Sequence, residues 1–171
     1  MPQRVEFTVN GKTVSVASDE TRSLLSVLRE DVGLTSLKNG CEPQASCGCC
    51  LLMMDGKPRL SCTMKPQQAA GKSLTTLEGL SDETRKQIAD SFVSCGGVQC
   101  GFCIPGMIVA ARYLLSTNPH PSEDEIKEGL AGNLCRCAGY SRIINAVALA
   151  SGTGQLPRRA QLKLSPTDDK A

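Results

Sequence analysis

At 171 residues, with aromatics at 3% and no Trp, the chain has room for one or two modules whose apolar cores are thin. A formal charge of +2, without a basic stripe interleaved with aromatics, argues against nucleic acid, and no run approaches the roughly eighteen apolar residues of a membrane span. The opening MPQRVEFTVNGK lacks a charged segment followed by an apolar one, so the expected location is the cytoplasm, where ten cysteines stay reduced and bind metal instead of pairing as disulfides.

Val5, Phe7 and Val9 alternate with polar residues, Asn10 and Gly11 suit a tight turn, and Val14 and Val16 resume the alternation, so a β-hairpin is expected. A helix follows, with Leu24, Leu25, Leu28 and Val32 at helical spacing, Ser18 and Asp19 as candidate caps and Gly33 as a stop. Lys38 to Ser46 is polar and interrupted by Pro43, which suits a loop whose N–H groups turn toward sulfur. Cys50 to Met54 and Lys57 to Cys62 read as two strands joined at Asp55 and Gly56, and Leu74 to Leu77 as a last strand.

From Ser81 the apolar period becomes helical. Ser81 caps a helix ending near Gly96 and Gly97, and Pro105 opens another with Ile108, Ala111, Leu114 and Leu115 on one side, stopped by Asn118 and Pro119. Ser122 and Glu125 form a capping-box pattern ahead of Ile126 and Leu130, and Tyr140 to Ala150 completes the set with Ile143, Ile144 and Val147. The fold class expected is α+β, with the change of module near residue 79 and a polar tail over 152–171.

Eight of the ten cysteines fall into two sets, Cys41, Cys47, Cys50 and Cys62, then Cys100, Cys103, Cys135 and Cys137. Four thiolates with no histidine or carboxylate beside them suit a soft metal centre, either an iron–sulfur cluster or structural zinc. Gaps of five, two and eleven residues in the first set lie close to the plant-type ferredoxin run, which has four residues in its first gap and two in its second. Cys49 would shorten the two-residue gap and face the other side of a strand, so it is left out. In the second set both cysteine pairs stand just before helices, whose free N–H groups stabilise thiolates.

The strings QCGFCIPGM (Gln99 to Met107) and NLCRCAGY (Asn133 to Tyr140), with GCEPQASCGCC (Gly40 to Cys50), closely resemble the small iron–sulfur subunit of the molybdenum hydroxylases, the xanthine dehydrogenase and aldehyde oxidoreductase family. The resemblance spans about residues 3 to 150. Departures are the longer first gap, Cys49 where the family has Ala, and Ile104 where Thr is common. It implies a β-grasp ferredoxin-like domain over 1–78 and an all-α four-helix bundle domain over 79–151, each with one [2Fe–2S] cluster. It further implies a large molybdopterin-binding subunit against the second cluster, with Gln99 and Cys137 contacting the pterin. A medium FAD-binding subunit would face the first cluster, and the chain would carry electrons between them.

Other residues read as structural. His120, between two prolines, suits an exposed loop, and Asp82, Glu83, Glu123, Asp124 and Glu125 complement helix dipoles. Cys49 and Cys95 suit small apolar gaps. Two competing functions are a zinc-stabilised interaction module, whose ligands usually arrive as two short pairs per site, and a free-standing two-cluster ferredoxin, which a strongly acidic surface would favour.

Overall fold

The computed structural model describes residues 3–18 and 21–155. Strands β1 (Gln3–Val9) and β2 (Lys12–Ser18) form the expected hairpin, with Val5 opposite Val16 and Phe7 opposite Val14. Asn10 and Gly11 both take positive φ, the conformation a two-residue hairpin turn demands. Helix α1 (Leu24–Glu30) is capped by Ser23, whose hydroxyl accepts the Ser26 N–H at 3.1 Å. The expected cap therefore moves: Ser18 is held in the sheet opposite Gln3, and Asp19 lies outside the described residues.

Strands β3 (Leu51–Met54) and β4 (Lys57–Leu60) form a second hairpin, and β5 (Ser73–Thr75) lies between β1 and β3. The order is β2-β1-β5-β3-β4, a mixed sheet because β1 and β5 run parallel while the other pairs are antiparallel. Two strands are shorter than the sequence suggests. Cys62 lies beyond β4 in a 3₁₀ turn over Ser61–Thr63, and the expected strand to Leu77 gives way after Thr75 to a turn over Leu77–Gly79. Asn10 anchors that departure by exchanging two 2.9 Å hydrogen bonds with Thr76. Glu78 then reaches back to accept from the Ser36 N–H and the hydroxyls of Ser36 and Thr76.

The helical half comprises α2 (Asp82–Ser94), α3 (Ile104–Thr117), α4 (Glu123–Leu130) and α5 (Tyr140–Ala150). Ser81 caps α2, and the Gly97 N–H closes its other end on the Phe92 carbonyl at 2.8 Å. Pro105 occupies the first turn of α3, where its missing N–H costs nothing. Ser122 and Glu125 complete the capping box of α4.

The chain is α+β, and its interior divides into two apolar clusters. Phe7, Leu24, Leu28, Leu52 and Leu74 centre one between α1 and the sheet; Phe92, Met107, Ile126 and Ile143 centre the other among α2 to α5. Helix α3 also packs on β3, joining the halves. Among the described residues no helix is long and apolar enough to cross a membrane. The expected tail lies, beyond Gln155, outside the described residues.

Phe92 is fully buried, so Phe92→Ala should lower unfolding free energy by about 3–5 kcal/mol, against about 1 kcal/mol for loss of the Ser122 cap in Ser122→Ala, both read by chemical denaturation. Burial opposes ionisation of Glu78, but its hydrogen bonds outweigh that and hold its pKa below the ordinary 4.5. Its stabilising contribution is therefore full above that pH and lost as pH falls through the folded value, so Glu78→Gln should weaken the acid dependence of stability below 4.5.

Candidate metal centres

The loop between α1 and β3 presents the first three thiols. Cys41 Sγ accepts the N–H groups of Ser46 and Cys47, both at 3.3 Å. Burial disfavours the Cys41 thiolate, yet these donors prevail and bring its pKa down to about 7. Gly40 leaves room for that geometry, since a Cβ there would stand 3.0 Å from Cys47 Sγ and 3.3 Å from the Phe102 ring. Cys50 ends the loop, and the turn after β4 returns Cys62 to it. Burial first, and the neighbouring Cys50 thiol second, push Cys62 up to about 12.

The second set gathers at the start of α3 and the loop entering α5. Cys100 is exposed, and its pKa is lowered by the Phe102 N–H and then by the Cys137 thiol. Burial pushes Cys103 up to about 12, with Cys135 beside it. Burial also works against the Cys135 thiolate, but the N–H groups of Gly139, Cys137 and Ala138 and the Cys103 thiol lower its pKa overall. The Cys135 N–H itself donates to the Tyr140 hydroxyl at 2.8 Å. Gln99 Nε2 donates to the Cys137 carbonyl at 3.3 Å, so the two residues singled out for pterin contact meet.

The eight thiols associate two by two: Cys41 with Cys47, Cys50 with Cys62, Cys100 with Cys137 and Cys103 with Cys135. Pairs of thiols, with backbone N–H groups aimed at sulfur, suit a binuclear centre in which each iron takes two thiolates.

Cys49 and Cys50 are adjacent but pack into different apolar clusters, Cys50 with the sheet and Cys49 with the helices. Burial holds the Cys49 thiol protonated, its pKa pushed up to about 12, and Cys95 is likewise buried and raised by burial. His120 is exposed, its Nδ1 within 3.3 Å of the Ser151 carbonyl, and the hollow it lines contains no cysteine. Sequence reasoning assigned no part to Tyr140 or Asn133. Both stood inside the NLCRCAGY string, but only the folded loop shows one accepting a backbone N–H and the other buried against Gly48.

Both halves match models of iron–sulfur domains: residues 7–80 match a 2Fe-2S iron-sulfur cluster binding domain, and residues 76–148 a [2Fe-2S] binding domain. The class is thus a two-cluster electron-transfer protein. The nicotinate dehydrogenase small FeS subunit of Eubacterium barkeri is 41% identical, over 85% of this chain and 93% of that one. The crystal structure of quinoline 2-oxidoreductase from Pseudomonas putida 86 contains a chain of the same fold, with a TM-score of 0.81, 44% identity, and coverage of 91% of this chain and 99% of that one. Aldehyde oxidoreductase from Desulfovibrio desulfuricans ATCC 27774 gives a TM-score of 0.81 at 34% identity, with 88% of this chain matching 17% of a much longer one. The chain belongs to the small iron–sulfur subunits of the molybdenum hydroxylase family, the electron-transfer component of oxidoreductases whose substrate chemistry lies elsewhere.

Cys103→Ser should abolish one of two [2Fe–2S] EPR signals and spare the other, whereas Cys49→Ala should leave both intact, with iron and sulfide analysis as the control.

Proposed function

We propose that this chain relays single electrons from molybdopterin in a large partner subunit, by way of two [2Fe–2S] clusters, to a medium FAD-binding subunit or another acceptor. Cys41, Cys47, Cys50 and Cys62 would hold one cluster, and Cys100, Cys103, Cys135 and Cys137 the other. When bound, such clusters accept and release one electron each, which divides a two-electron oxidation into single steps. The protein's own contribution is to aim N–H groups at sulfur, which stabilises added negative charge, and to bury one thiol pair at each site more deeply than the other.

One observation carries the partner assignment. Of the five large apolar side chains left exposed among the described residues, three, Phe102, Leu134 and Tyr140, line a single hollow together with Cys47, Cys100, Cys103 and Cys135. Leu134 is 50% exposed. Apolar surface gathered around a redox site suits a lasting protein contact, and Cys137, beside Cys100, would meet the pterin together with Gln99. A free-standing ferredoxin would leave that surface in water, and the net charge of +2 lacks the acidic field that steers such carriers. The spacing of the cysteines also disfavours the zinc module, whose ligands usually arrive as two short pairs per site.

On this reading residues 1–78 form a β-grasp ferredoxin-like domain, 79–151 a four-helix bundle domain and 152–171 a tail, and the complex works in the cytoplasm. Anaerobically purified protein should show two distinct [2Fe–2S] EPR signals on reduction, with two irons and two labile sulfides per site. Affinity capture of the chain should retain a large molybdopterin-containing protein. Recovery of the chain alone, or a colourless zinc protein, would refute the assignment.

A further inference from the structure

Asn133 is only 5% exposed, and it holds no sulfur. Its Nδ2 donates to the Gly48 carbonyl at 3.1 Å, a buried bond between the helical half and the first thiol loop. One residue further on, the Leu134 N–H donates to the Cys47 carbonyl at 2.9 Å. The backbones meet with no space to spare. A Cβ on Gly48 would lie 2.4 Å from the Gly132 carbonyl oxygen, and one on Gly106 would lie 2.4 Å from the Gly48 carbonyl oxygen.

Cys47 belongs to the first thiol set and Cys135 to the second. From the backbone of one to that of the other, the route is a single hydrogen bond and otherwise covalent bonds through Leu134. Electrons pass more readily along bonds than across open gaps, so the length of that hydrogen bond matters. We propose that Asn133 is the positioning residue for electron transfer between the two centres: its amide holds the Gly48 carbonyl and so keeps the Cys47-to-Leu134 hydrogen bond closed. This deepens the two-cluster reading above and rests on it.

An amide suits the task for a chemical reason. It donates a proton to the carbonyl without adding charge between two anionic centres, whereas a carboxylate of the same shape has no proton to give. In the step itself one electron leaves the centre at Cys100, Cys103, Cys135 and Cys137, and the centre at Cys41, Cys47, Cys50 and Cys62 gains it. No bond or proton moves.

The test uses the full chain with its clusters, as wild type, Asn133→Ala and Asn133→Asp. Iron content and both EPR signals should persist in the two variants. The magnetic splitting between the reduced centres should change, and electron equilibration after pulse-radiolytic half-reduction should slow relative to wild type. Splitting and rate equal to wild type in both variants would overturn the proposal. So would loss of a cluster signal in both, which would assign Asn133 to cluster assembly instead. Failure of the wild-type chain to show two signals would be a different result, removing the electron-transfer reading itself and this proposal with it.

Discussion

Gly48 stands between two cysteines of one loop while its backbone lies against the Gly132 carbonyl, closer than any side chain permits. Its positive φ of 70° is one that a non-glycine residue adopts only under strain, so conformation and space make the same demand. The hydrogen bonds from Asn133 and Leu134 close over this contact. Everything functional hangs from it, because the loop so fixed carries Cys47 and the strand that follows carries the hairpin returning Cys62.

The same junction explains how small apolar cores hold eight thiols in place. A loop rich in polar residues has little apolar area to bury, and its conformation is instead set by N–H groups that find sulfur, as at Cys41, or a neighbouring carbonyl, as at Cys47. Thiols with several N–H donors are drawn toward the charged form, while Cys62 and Cys103, buried with fewer donors, resist it. Each site therefore combines sulfur that ionises more readily than an ordinary thiol with sulfur that burial holds protonated.

Much of this was legible in the sequence because it rests on local chemistry. Alternation in Val5, Phe7 and Val9, the turn at Asn10 and Gly11, and the Ser122 and Glu125 capping box each need only a few neighbouring residues, and each appears in the fold. The spacing of the cysteines set the expectation of two groups, and the fold brings those thiols together in pairs. What escaped was set by distant partners. The start of α1 depended on Ser18 pairing with Gln3, and the end of β5 on Asn10 capturing Thr76 across 66 positions. The role of Asn133 depended on Gly48, 85 positions away. No periodicity or local propensity reports such meetings.

Cys49 has a consequence beyond filling space. It is supplied by the thiol loop of the sheet half yet counts among the buried residues of the helical half, beside Cys103 and Met107. The sheet half thus lends part of itself to the helical interior, with Cys47 and Leu51 packed alongside. A chain severed at residue 79 would leave the helical fragment without the Cys49 side chain that fills its interior, a wound at the seam in place of two independent proteins.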